Sequence, residues 1–128
     1  MAHILIVDDD RELRNLLALS LAEAGHYVVE AREGREGLAL QHLAPLDLVI
    51  TDILMPGVDG FETIKRLRQE YPKLRIFAMS GVQELMGMDV RMTARCLGAA
   101  RTFNKPLSVQ EVLRAVREEF PTGPIPAR

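Results

Sequence analysis

The sequence predicts an α/β fold, a doubly wound five-stranded parallel sheet with helices on both faces. Three observations predict it. Apolar runs of strand length alternate with helical patterns five times along the chain, which implies parallel strands joined by right-handed crossovers. The runs ILIV and LVI are continuously apolar, as strands covered on both faces should be. The chain has 128 residues, 48% of them hydrophobic, which suits one domain with a real core.

The strand-length runs are His3–Val7, Tyr27–Ala31, Leu46–Thr51, Leu74–Ser80 and a short Arg101–Asn104. Between them the apolar period becomes helical. Leu13, Leu16, Leu17, Leu21 and Ala24 mark the first helix, with Asp10 as N-cap and Gly25 as its stop. Phe61, Ile64, Leu67 and Tyr71 mark another, ended by Pro72. Val109, Val112, Leu113, Val116 and Phe120 mark the last, with Ser108 as N-cap and Glu111 completing a capping box. Leu38–Leu43 and Asp89–Leu97 give fainter helical patterns, and Gly81–Asp89 shows no helical face. Residues 1–120 read as the domain. Residues 121–128, PTGPIPAR, read as an extended proline-rich tail.

A formal net charge of -2 argues against direct nucleic-acid binding, which demands a basic surface. The N-terminal apolar run is too short for a signal peptide and ends in three acids. No stretch approaches the roughly 20 apolar residues of a membrane span. Cys96 is the only cysteine and is expected as a small buried hydrophobe in a reducing compartment, so a cytoplasmic protein is expected. His3, His26 and His42 lack metal-site spacing and are assigned structural or surface roles. Met79, Met86, Met88 and Met92 are expected as adaptable core filler, with a methionine-rich binding face as the minority reading.

In an open α/β sheet, ligands bind beyond the carboxyl ends of the strands. There this sequence places Asp8, Asp9 and Asp10 after the first run, Asp52 after the third, Ser80 at the end of the fourth and Lys105 after the fifth. Clustered carboxylates repel, and a hard divalent cation such as Mg²⁺ relieves the repulsion through oxygen ligands. A carboxylate beside such a cation can attack phosphorus and form an acyl phosphate. An ammonium and a hydroxyl can then stabilise the charge on the phosphoryl oxygens. Taken alone, an acid after a strand is often only a helix N-terminus, the role given to Asp10.

ILIVDDD, TDILMPGVDG, AMSG and FNKP, in this order, resemble the receiver domains of response regulators in two-component signalling. The resemblance covers about Ala2 to Phe120. It implies a CheY-like, flavodoxin-like sheet of strand order 2-1-3-4-5. It implies Asp52 as phosphoacceptor and Mg²⁺ as cofactor. Asp9 would be the direct ligand, Asp8 would act partly through water, and the Leu54 carbonyl would add a further ligand. Ser80 would bond a phosphoryl oxygen and Lys105 would pair with the phosphate. Pro56, Asp59 and Gly60 would shape the loop after the acceptor, and Lys105–Pro106 would be cis. The implied partners are a histidine kinase or histidine phosphotransfer protein as donor and a downstream protein as target. A homodimer through the face of the fourth helix, fifth strand and fifth helix is an option. The implied chemistry is self-catalysed phosphoryl acceptance and autodephosphorylation, not catalysis on other molecules.

The sequence departs from that family in three places. The position three before the lysine, often aromatic in receivers, is Thr102, and Phe103 beside it should face the other side of the sheet. The interval from Ser80 to Lys105 is long, with the extra length assigned to Gly81–Asp89. Leu54 and Val82 are apolar where some relatives carry polar groups. A constitutive interaction scaffold of the same fold is the alternative function. A Mg²⁺-dependent phosphohydrolase would leave Asp52 without a role, and a flavin protein would set acids against the cofactor's phosphate.

Overall fold

Long β-branched and leucine-rich runs bury best where helices cover both sides of a sheet, and the chain takes this solution. The computed structural model describes residues 1–43, 45–54 and 60–121. Along the chain the elements are β1 (His3–Val7), α1 (Arg11–Glu23), β2 (Tyr27–Ala31), α2 (Gly34–Leu43), β3 (Leu48–Asp52) and α3 (Gly60–Glu70). There follow β4 (Arg75–Ser80), β5 (Glu84–Leu85), β6 (Met88–Asp89), α4 (Val90–Leu97), β7 (Arg101–Asn104) and α5 (Val109–Glu119). The main sheet is parallel and ordered β2-β1-β3-β4-β7, the expected 2-1-3-4-5 with a separate β5–β6 hairpin before the last helix-strand unit.

Two apolar layers fix the sheet. Leu17 and Leu21 of α1 and Val112 and Val116 of α5 pack on Ile4, Ile6, Ile50 and Phe77. Ile64 and Leu67 of α3 and Val90 and Ala94 of α4 pack on Leu5, Val7, Val49 and Ile76. β3, the central strand, is buried at every position. Phe103 points into the first layer, 5.4 Å between ring centroids from Phe77, so Thr102 faces the other way as expected. Asp10 and Ser108 cap their helices as the sequence suggested, and Asp89 adds a third cap that it did not. Asp10 accepts from the Leu13 N–H, Asp89 from Met92 and Ser108 from Glu111.

Several expectations are corrected. Leu16 is exposed, and Arg14 takes its place on the buried stripe of α1 with Leu17 and Leu21. Cys96 is exposed, because the inner face of α4 is set by Val90 and Ala94 and Cys96 lies off it. Of the four methionines read as core filler, only Met79 is buried; Met86, Met88 and Met92 are exposed. Strands three and four begin at Leu48 and Arg75 rather than Leu46 and Leu74. Gly81–Asp89 contains an antiparallel hairpin, turned by Met86 at φ 52° and Gly87 at φ 80°. His26 accepts a hydrogen bond from the Ala2 N–H, and His3 stacks on Tyr27. No described helix is long and apolar enough to cross a membrane. Pro56, Asp59, the side chain of His42 and residues 122–128 lie outside the described residues.

Candidate acid and lysine site at the carboxyl edge of the sheet

Parallel pairing puts all strand ends of one polarity along one edge. Register aligns Val7 with Thr51, Asp52 with Met79 and Ser80 with Asn104. The residues that follow these positions therefore converge. The carboxylates of Asp8, Asp9 and Asp52 each offer an oxygen within 4.8 Å of the others. Asp8 and Asp52 are buried and Asp9 is exposed. Lys105, arriving from the end of β7, places Nζ 2.8 Å from Asp8 Oδ2 and 3.3 Å from Asp52 Oδ2. Its peptide bond to Pro106 is cis, as the resemblance implied.

Three acids cluster here, and the one ammonium pairs with two of them, Asp8 and Asp52. At an effective dielectric of about 20, each carboxylate pair within that distance repels by about 3.5 kcal/mol or more. Burial pushes the Asp52 carboxyl above its ordinary range. Lys105 and the Leu54 N–H pull it down, and Asp8 pushes it further up. Burial alone would lower Lys105, but its bonds and charge contacts with Asp8 and Asp52 outweigh that and raise it. The donor set is all oxygen, partly buried and short of positive charge. It therefore fits a hard divalent cation better than a soft one.

The loop that carries these acids is tightly held. Asp8 Oδ1 accepts from the Asp10 N–H at 2.8 Å. The Leu54 N–H donates to Asp52 Oδ1 at 3.3 Å, so Leu54, 39% exposed, lies beside Asp52. Gly60 N donates to Ile53 O at 2.9 Å, and a Cβ there would collide with the backbone of Asp52 and Ile53. That close approach explains the glycine that the sequence placed after the loop.

Ser80 lies at the same edge and is buried, but its hydroxyl is already engaged. Oγ donates to Val82 O at 2.7 Å and accepts from Val82 N at 3.1 Å. Sequence reasoning named Ser80 without this internal bond. It also missed Arg14, whose Nη1 donates to Asp8 O at 2.7 Å and whose Nε pairs with Glu30 at 3.0 Å. Arg14 shares a helix face with Leu17 and Leu21 at i, i+3 and i+7, but Leu13 and Leu16 offer a competing apolar stripe, so that spacing alone did not single it out.

Comparisons agree with this geometry. The chain is 34% identical over 127 residues to the transcriptional regulatory protein TcrA of Mycobacterium tuberculosis, covering 96% of this chain and 47% of that protein. It thus spans about half the length of that curated relative. It is 33% identical over 118 residues to sporulation initiation phosphotransferase F of Bacillus subtilis, covering 92% of this chain and 93% of the other. Among solved structures, chemotaxis protein CheY4 of Vibrio cholerae superposes with a TM-score of 0.83 at 29% identity, covering 92% of this chain and 98% of that one. The family model for the response regulator receiver domain matches residues 4–117. With that match over most of its length, and with the strand order and acid cluster in place, the chain belongs to the response regulator receiver domain family.

Proposed function

We propose that Asp52 accepts a phosphoryl group in a two-component pathway. The observation that carries this reading is the ammonium of Lys105 set between Asp8 and Asp52, with Asp9 completing a three-acid cluster at the carboxyl edge of the sheet. A carboxylate oxygen of Asp52 attacks phosphorus. The new P–O bond forms as the donor's bond to phosphorus breaks and its leaving group departs with that electron pair. The donor is a histidine kinase or a histidine phosphotransfer protein, whose imidazole nitrogen is the leaving atom. Water later attacks the same phosphorus and releases inorganic phosphate, restoring Asp52. Acceptance and this self-catalysed loss are the chain's only chemistry.

Asp9, Asp52 and the carbonyl of Leu54 would hold Mg²⁺, with Asp8 in part through water. When bound, the ion offsets the charge of the acids and of the phosphoryl oxygens. Lys105 turns from the carboxylates toward a phosphoryl oxygen. Ser80 gives up its bond to Val82 O and donates to another. Residues 1–120 are read as this unit, and the setting as cytoplasmic. Output passes to a downstream protein or a second copy of the chain, through the face of α4, β7 and α5, without direct contact with nucleic acid. Nothing in the site favours the phosphate-independent scaffold, because a scaffold has no use for three clustered acids.

Mass spectrometry after incubation with acetyl phosphate and Mg²⁺ tests the proposal. One phosphoryl group should appear on the wild type and none on Asp52→Asn. Stoichiometric labelling of the Asn variant would remove the assignment.

A further inference from the structure

Arg14 is a nearly buried cation, 8% exposed, to which the phosphoryl chemistry assigns no role. Its guanidinium is forked between two partners. Nε donates to Glu30 Oε1 at 3.0 Å and Nη1 to the Asp8 carbonyl oxygen at 2.7 Å. The other polar atoms of Asp8 are also committed. Its N–H donates to Ala31 O at 3.1 Å, Oδ1 accepts from Asp10 N and Oδ2 from Lys105. Asp8 is thus clamped from β2, from α1 and from the lysine loop at once. Asp9 beside it is the one exposed acid of the cluster.

We infer that Arg14, braced by Glu30, is a positioning residue for the divalent-cation site, aiming Asp9 by holding the peptide plane between Asp8 and Asp9. The inference rests on the reading of Asp8, Asp9 and Asp52 as that site. The Asp8 carbonyl and the Asp9 N–H belong to one rigid plane. Fixing the oxygen fixes the direction in which Asp9 leaves the strand. Rotation of that plane would carry the Asp9 carboxylate away from Asp52 while leaving both acids present. An arginine suits the task because its planar fork can bond a carboxylate and a carbonyl together, which a lysine ammonium on a flexible stem does less well.

Charge and positioning predict opposite effects, so they can be separated. By charge alone, deleting a cation bonded to Asp8 should tighten Mg²⁺ binding. Loss of aim should weaken it despite that gain. Outer-shell partners of metal ligands commonly change affinity by about 10- to 100-fold.

The test is Mg²⁺ titration by isothermal calorimetry, at a temperature where circular dichroism shows every variant folded. Arg14→Met should weaken Mg²⁺ about tenfold or more, and Arg14→Lys by about threefold. Arg75→Met, which breaks an ion pair with Glu119 at the opposite end of β4, should leave the Mg²⁺ affinity unchanged whatever it does to the melt. Equal or tighter binding by Arg14→Met would overturn the inference while leaving the cation site standing. Should that variant not fold, wild-type affinity in Arg14→Lys overturns it instead. A wild type that neither binds Mg²⁺ nor is stabilised by it removes the cation site, and the positioning role with it.

Discussion

Lys105 Nζ lies closer to Asp8 than to Asp52, 2.8 Å against 3.3 Å, although Asp52 is the residue it would serve. In this state the lysine holds a buried pair together and is not poised on the acceptor alone. Lys105→Met should therefore cost the metal-free protein about 2–4 kcal/mol, because it leaves two buried carboxylates uncompensated. Mg²⁺ should recover more stability in this variant than in the wild type, since a cation then replaces the missing charge. Thermal melts with chelator and with millimolar Mg²⁺ check both. A variant that melts like the wild type under chelator would show that the pair contributes nothing.

The raised pKa of Asp52 gives a pH dependence of known sign. Between the ordinary value, 3.8, and the higher folded value, the folded state binds more protons than the unfolded state. Stability therefore falls as pH rises through that window, and the deficit is complete above it. Asp52→Asn removes the deficit. With chelator present, the variant should be more stable than wild type at pH 7, and its advantage should narrow as pH falls toward 3.8. An advantage that grows on acidification would contradict the burial-driven shift.

The sheet was legible because its interior strands admit few other readings. A run such as ILIV, short and closed by acids, reads as a covered strand; β1 and the two edge strands β2 and β7 have the bounds read for them, and the interior β3 and β4 begin within two residues of theirs. The acids and Lys105 were legible for the same reason, as parallel topology brings strand ends together. The face of α1 was not. RELRNLLALSL offers more leucines than one stripe can hold, and a pair between Arg14 and Glu30, 16 residues apart, leaves no local pattern that chooses Arg14 over Leu16. The β5–β6 hairpin was hidden because its strands are two residues each and its turn is Met-Gly, not the usual Asn-Gly.

That unusual turn makes a stability prediction. Met86, 92% exposed, holds φ 52°, so it packs little and strains its backbone. Asparagine tolerates this conformation better, and Met86→Asn should stabilise the protein by about 0.5–1 kcal/mol. Urea denaturation gives the value. A loss of stability would mean that the methionine makes apolar contacts worth more than the strain.

Leu54 and Val82 make the acyl phosphate comparatively long-lived on this reading. We propose that both flank the approach to Asp52, where neither side chain can orient water by hydrogen bonding. Leu54 is half exposed beside the acceptor, and Val82 is bonded through its backbone to Ser80. Leu54→Asn and Val82→Glu should each hasten dephosphorylation. Decay of the labelled protein, followed by loss of the phosphoryl mass, measures this. A wild type that decays at least as fast as both variants defeats the argument.

The signal should leave the site through Ser80. Its hydroxyl now donates to Val82 O at 2.7 Å, which ties down the first turn of the Gly81–Asp89 segment. A phosphoryl oxygen on Asp52 offers a charged acceptor, and charge-assisted hydrogen bonds are roughly twice as strong as neutral ones. Ser80 cannot donate one hydrogen to both, so Val82 O is released. Downstream, Val90 N donates to Gln83 O at 2.9 Å and Asp89 caps α4, so a shift in the hairpin is carried into that helix. Among the described residues, β7 sends no aromatic ring to this side, because position 102 is threonine and Phe103 is committed to Phe77 on the opposite face. Coupling therefore rests on the hairpin, and its two states should differ by a few kcal/mol at most, about what one ligand can tip. Hydrogen exchange with and without a fluoroberyllate mimic should show its largest change in Gly81–Leu97 and little at Val28–Leu43. Ser80→Ala should abolish that change while leaving Mg²⁺ binding intact. An unaltered hairpin, with changes confined to α1 and α2, would refute this route.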